Sequence, residues 1–161
     1  MVYKEPTVYK HGLQKEDLTD ILSNWEDVSD KVFNTTGVDS IDRNVKFFFN
    51  RYLGLCKITG WAKFSSDGTA NRKIISFNTD LPGNQNDNLF SFTAAGKIRS
   101  SNLNKGIGTV IFRPFAHSTV PMYNNGIYLD APSISCDYVD CIYVVTNIDK
   151  YLHEFIQYID Q

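Results

Sequence analysis

The chain has 161 residues, enough for one domain with a sizeable hydrophobic core and short for two. Its 16 Lys and Arg against 18 Asp and Glu leave a net charge of −2, which argues against the concentrated basic face that nucleic-acid binding needs. No apolar run approaches the roughly 18–20 residues that cross a bilayer. The opening MVYKEPTVYKHG lacks the apolar centre of a signal peptide, so the expectation is synthesis in a cytoplasm with no cleaved leader and no membrane insertion.

Residues 1–12, with Tyr3, Pro6, Tyr9 and Gly12, bury no face of their own and read as an arm that needs a partner surface. Leu18, Ile21, Leu22 and Trp25 then recur at i, i+3, i+4 and i+7, which predicts an amphipathic helix over 15–25. Glu16 and Asp17 fall in its first turn, where the helix dipole favours them. At about three turns it is marginal alone, and must lie on the domain or on copies of itself. From Glu26 to Arg43 the chain is polar and turn-rich.

The strongest pattern is VKFFFNRYLGLCKITGWAKF, Val45 to Phe64. Val45, Phe47 and Phe49 alternate with Lys46 and Asn50, although Phe48 breaks the polar side; further on, Cys56, Ile58, Gly60, Ala62 and Phe64 share one face and Leu55, Lys57, Thr59, Trp61 and Lys63 the other. Period-two alternation predicts a hairpin with one core face and one wet face, turning over Asn50 to Gly54. Trp61 stands on the wet face.

A strand over Arg72 to Thr79 follows, then a long loop, DLPGNQNDN, at 80–88. Leu89 to Ala95 alternates as a strand, and Ala95-Gly96-Lys97 reads as a tight turn. Ser100 to Gly108 is polar and Gly-bearing and reads as a loop; Thr109 to Arg113 is a short strand stopped by Pro114. A second long loop, 114–126, precedes a strand over Ile127 to Ala131. Asp137 to Thr146 is the last strand, apolar on both sides at Ile142 to Val145 and so expected to be central and covered twice. Helical spacing returns at Leu152, Phe155, Ile156 and Ile159, with Asn147 or Asp149 to cap its start. Seven or eight short strands without βαβ alternation predict a mainly β protein, an antiparallel β-sandwich of jelly-roll type with a short helix near each terminus. Its organisation is an arm and helix over 1–26, a β-sandwich domain over 27–147 and a helix over 148–161.

Catalytic patterns are missing. His11, His117 and His153 belong to no metal motif, and His117-Ser118 lacks the strained nucleophile turn and orienting acid of a serine hydrolase. Cys56, Cys136 and Cys141 have no metal-ligand spacing and read as free thiols in a β core. The expectation is a non-enzyme with no catalytic residue, no metal and no cofactor. Binding suits the remainder better. A β scaffold recognises sugars by setting an aromatic face against the pyranose ring while planar amides and carboxylates read hydroxyls. The residues fitted for this are Trp61, Asp67, Asn71 and Arg72, with Asp87 and Asn88 from the first long loop and Tyr123, Asn124 and Asn125 from the second. Asn and Asp also serve turns. Trp61 has competing uses, as a contact inside an assembly or as a seat for a terminal helix, and the assembly contact is the preferred reading.

The order of these pieces resembles the C-terminal β-sandwich domains of tail-fibre and baseplate receptor-binding proteins of phages that infect Gram-positive bacteria. Trp25-Glu26-Asp27-Val28 matches their W-x-D-V form, and a polar stretch ending near Gly37 and the aromatic strand Val45–Phe49 follow. Cys56-Lys57-Ile58-Thr59-Gly60 stands for V-x-L-x-G and Leu81-Pro82 for the LP step. The likeness spans residues 25 to 113. It departs where no GYRP follows Leu81-Pro82, with Arg113-Pro114 far later, and in the helix at 148–161. What the resemblance implies is a homotrimeric virion adhesin of the phage tail that binds host cell-wall saccharide without cleaving it and joins other tail or baseplate proteins through its N-terminal arm. The rival expectations are a structural tail or baseplate assembly protein and a cellular carbohydrate-binding β-sandwich module.

Overall fold

The computed structural model describes residues 23–82, 92–101, 103–113, 125–130 and 134–161. The arm, most of the helix expected at 15–25, and most of both long loops lie outside them.

The protein is mainly β: 62% of the described residues are in strands. The elements are β1 (Glu26–Asp27), α1 (Ser29–Val32), β2 (Phe33–Asn34), β3 (Ser40–Asn50), β4 (Leu55–Gly68), β5 (Arg72–Phe77), β6 (Phe92–Ser100), β7 (Leu103–Arg113), β8 (Gly126–Asp130), β9 (Cys136–Asn147), a 3-10 turn (Asp149–Tyr151) and α2 (Leu152–Ile159). Among the described residues the nine strands form a single sheet of order β1-β3-β4-β9-β6-β7-β8-β5-β2, with every pairing antiparallel.

The β3–β4 hairpin is the expected one. Its register runs from Asn50↔Leu55 to Ser40↔Phe64, and Val45, Phe47, Phe49, Cys56, Ile58, Ala62 and Phe64 are all buried on its inner face. The sheet curls into a half-barrel, and its two margins approach each other where the chain passes from β2 to β3. There the Asp39 amide donates to the Lys73 carbonyl at 2.9 Å, the Lys73 amide donates to the Asp39 carboxylate at 2.7 Å, and the Ser40 hydroxyl donates to the Ile74 carbonyl at 2.6 Å. Curling lets one core serve the whole sheet, so Phe47 and Ile58 from one half belong to the same cluster as Ile74, Phe112 and Leu129 from the other.

The C-terminal stripe folds as a helix, but neither Asn147 nor Asp149 caps it: α2 starts at Leu152 with Tyr151 at its N-cap and no side-chain cap bond, after a 3-10 turn whose Asp149 amide donates to the Asn147 side-chain carbonyl at 2.8 Å. Phe155 and Ile159 join the same core. Lys31 donates to the carbonyls of Ile159 and Gln161, and the Tyr158 hydroxyl donates to the Lys31 carbonyl at 2.6 Å. Arg51 bridges Glu26 and Asp160, at 2.9 Å and 3.0 Å. These bonds tie α2 to the start of the domain.

Three expectations need correction. Gly96 is no turn: β6 continues through it, because a glycine there leaves room for Val139 and Val110, whose methyls lie 2.7 Å and 3.0 Å from where a Cβ would stand. Ser100 to Gly108 is no loop either. The chain reverses near Ser101 and β7 begins at Leu103, its first half exposed on both faces and so lacking apolar alternation. A bulge marked by Gly106, at φ 106°, absorbs the extra residue. Finally, β9 is central but not covered twice, since Tyr143 and Val145 are 62% and 47% exposed on its outer side.

Candidate functional site

The outer face of β3, β4, β9 and β6 carries the side chains that alternation sends away from the core. Register sets them in rows: Phe48, Lys57 and Val145; Lys46, Thr59 and Tyr143; Lys63, Tyr138 and Arg99. Trp61 lies between the last two rows. Opposite it β9 holds two residues, Asp140 and Cys141, where β4 has one: Ala62 pairs with Val139 but Gly60 pairs with Ile142. Cys141 takes the left-handed conformation, φ 56°, and its amide donates to the Asp140 carboxylate at 2.7 Å.

This bulge builds an aromatic platform. Tyr138 and Tyr143 are five apart, a separation that sends them to opposite faces of a regular strand; the extra residue returns both to the outside. The Trp61 ring stacks on Tyr138 with centroids 5.8 Å apart and planes 12° from parallel. The Arg99 guanidinium lies 4.3 Å from the Tyr138 centroid and donates to the Asp140 carboxylate at 3.2 Å. Two open clefts flank the stack. One of about 380 Å³ is lined by Lys63, Arg99, Ser101, Asp137 and Tyr138; the other, of about 460 Å³, runs from Asn44 and Lys46 past Trp61 to Asp140 and Tyr143. The arrangement offers two partly exposed aromatic rings, one of them under a guanidinium, with an ammonium and two carboxylates beside them. That chemistry suits a ligand with an apolar face and hydroxyls around its rim.

The residues singled out by sequence fare differently. Trp61 is at the centre of the platform. Asp67 accepts a bond from the Ser100 hydroxyl, next to Ser101 of the smaller cleft. Arg72 is committed to the scaffold: it lies 4.3 Å from the Phe64 centroid and donates to the carbonyls of Ser66 and Gly68 at 3.2 Å and 2.9 Å, with the half-buried Asn71 beside it. Asn125 is structural too. At φ 52° it donates to the Phe77 carbonyl at 2.7 Å, in the β5–β8 half of the sheet, away from the platform. Asp87, Asn88, Tyr123 and Asn124 lie outside the described residues. Sequence reasoning missed Tyr138, Tyr143, Arg99, Lys63, Asp137 and Asp140; the alternation of Tyr138 against Val139 was a usable signal, but the pairing of β4 with β9 was not. Of the uses weighed for Trp61, α2 does not supply the cover, because that helix packs on the core side through Phe155.

Burial pushes the Cys56 thiol well above the ordinary range, and burial, opposed by Arg72, also raises Cys136. Both lie in the core as expected, but Cys141 does not: the bulge of β9 turns it out of the core and it is exposed. Among the described residues no three His, Cys, Asp or Glu side chains gather in a metal-binding group, and no helix is long and apolar enough to cross a membrane. Compared with protein-family models, curated proteins and solved structures, the chain matches none.

Proposed function

We propose that this protein is a non-enzymatic receptor-binding protein of a phage tail or baseplate that recognises host surface saccharide through the platform of Trp61 and Tyr138. The observation that carries the saccharide reading is the partly exposed Trp61–Tyr138 stack on the outer face of the sheet, between two open clefts, with Arg99, Lys63, Asp137 and Asp140 around it. The virion setting and the homotrimer rest on the resemblance of Trp25-Glu26-Asp27-Val28, Val45–Phe49, Cys56–Gly60 and Leu81-Pro82 to such proteins. The same reading takes the curled sheet as a jelly-roll-like sandwich, with β3, β4, β9 and β6 in one layer and β7, β8, β5 and β2 in the other. A shallow site of this kind with a millimolar Kd is worth only about 4 kcal/mol, and several copies per particle raise avidity through effective concentration.

Titrating purified Gram-positive cell-wall polysaccharide while following tryptophan fluorescence tests it. Binding that Trp61→Ala abolishes, with the polysaccharide recovered uncleaved, is the expected result. No binding to wall polysaccharide overturns the saccharide reading. The second reading, a virion assembly protein, is favoured by the exposed Tyr143 and Val145, which suit a protein neighbour as well as a sugar.

A further inference from the structure

Three clefts join into one track across the sheet. The smaller and larger clefts meet at the platform, where Tyr138 stacks on Trp61 and Arg99 donates to Asp140 at 3.2 Å. A third, of about 250 Å³, lies at the margin of β3. Asp30, Thr35, Arg43 and Val45 are among its lining, and it shares Asn44 and Lys46 with the larger cleft. We infer that this track holds an internal stretch of an uncharged linear polysaccharide, several sugar units long, and not a single terminal sugar. The inference rests on the saccharide reading above and specifies what that site recognises.

Length comes first. From Arg99 on β6 to Lys46 on β3 the track crosses β9 and β4, three strand spacings or about 14 Å, and the third cleft continues it at the β3 margin. A pyranose ring is about as wide as one such spacing, so a single sugar leaves most of the track empty. The track also crosses the strands instead of running along them, over ladders that pair β3 with β4 and β4 with β9. A peptide lying there finds no main chain to pair with, whereas hydroxyls are read by side chains. Main-chain groups turn outward only at the β3 margin. Phe47 directs its amide to Ser29 and its carbonyl to Val28, away from β4. Val45, two residues earlier, therefore directs its amide and carbonyl the same way, into the third cleft, as one donor and one acceptor for a hydroxyl. Charges balance along the whole length. Arg99 pairs with Asp140 and Lys46 with Asp27, at 3.2 Å and 3.4 Å, and Lys63 shares its cleft with Asp137 as Arg43 does with Asp30. A track of no net sign does not select a polyanion.

The test titrates the full chain, by tryptophan fluorescence, with the neutral fraction of Gram-positive wall polysaccharide, partially hydrolysed and separated by length. Kd is expected to fall with each added unit until the track is filled, faster than the number of units grows, and to change little with salt. Asp30→Ala with Thr35→Ala at one end, and Lys63→Ala at the other, should each raise Kd for long fragments about three- to tenfold. The shortest binding fragment should be unaffected by either. All three residues are exposed, so the fold tolerates their loss. A Kd that falls no faster than the unit count reports only more registers on one small site, and overturns the inference. So does an unchanged Kd for long fragments in either variant, or tighter binding of the phosphate-bearing wall fraction. No binding by any fragment or by the intact polysaccharide is a different result: it ends the saccharide reading itself, and this inference with it.

Discussion

Phe155 of α2 stands edge-on to Phe49 of β3, their ring centroids 4.9 Å apart and their planes at 77°. This contact seats the C-terminal helix, since Phe155 is fully buried and also lies 5.9 Å from Phe47. Phe155→Ala leaves a cavity under the helix and is expected to lower stability by about 3–5 kcal/mol. Urea denaturation followed by circular dichroism measures it; a loss below about 1 kcal/mol shows that α2 is dispensable to the core.

Gly60 and Gly68 form a matched pair within β4. A Cβ on Gly60 would collide with the backbone of β3, at the Asn44 carbonyl and 2.8 Å from Val45 Cα. At Gly68 the nearest atoms belong to Arg72, 3.8 Å away. Gly60→Ala should therefore destabilise by about 1–3 kcal/mol, because the hairpin must splay. Gly68→Ala should stay within about 0.5 kcal/mol. Thermal unfolding of the two variants side by side decides it, and equal effects count against the close approach.

Asp27 carries a pH dependence. Burial alone would raise its carboxyl, but the Ser29 hydroxyl and amide, at 2.5 Å and 3.1 Å, and Lys46 at 3.4 Å outweigh that and hold it below the usual range. A carboxylate lowered on folding contributes its full share above the unfolded value and loses it as pH falls through the folded value. Half-exposed as it is, the contribution is about 0.5–1 kcal/mol. Asp27→Asn should therefore lower stability at pH 7 and flatten its fall between about pH 4 and the acid limb. Ser29 passes the effect inward, since its hydroxyl oxygen accepts the Phe47 amide at 2.8 Å.

Thiol accessibility should divide the three cysteines. Cys141 is exposed, whereas Cys56 and Cys136 are buried and disfavoured as thiolates. A chromogenic disulfide reagent is expected to titrate a single thiol in the folded protein and all three in denaturant. Two or more fast thiols in the folded state contradict the packing around Gly68 and Cys136.

The Trp61–Tyr138 stack should behave as a pair. Trp61→Ala and Tyr138→Ala together should cost about 0.5–1.5 kcal/mol less than the sum of the single losses, as stacked rings do. Strict additivity in denaturation experiments separates the two rings energetically.

The hairpin was legible from Val45 to Phe64 because its inner face, apart from Gly60, is buried there and composition alternates with the pleat; its outer ends, 40–44 and 65–68, have no such face and were not. The first half of β7 was not, since it has no buried face to impose alternation. Gly96 misled for a different reason. Its small size serves the approach of Val139 and Val110 from neighbouring strands, and nothing local in the sequence distinguishes that use from a turn. Among the site residues Trp61 could be picked by its outward phase. Tyr138 could not be joined to it, because the contact depends on a β4–β9 register that shifts between Gly60 and Ala62.

That shift makes the outer aromatic face a matter of counting. Val139 and Ile142 both point inward although they are three apart, and Tyr138 and Tyr143 both point outward although they are five apart, because the chain holds one residue more than the pleat needs. Substitution at Cys141 leaves that count alone, whereas loss of a single residue there reverses the phase of one half of β9 against the other. Such a deletion would turn Tyr143 and Val145 toward the core and Ile142 and Val144 to solvent in one step. The platform is thus tolerant of changed side chains and intolerant of changed length.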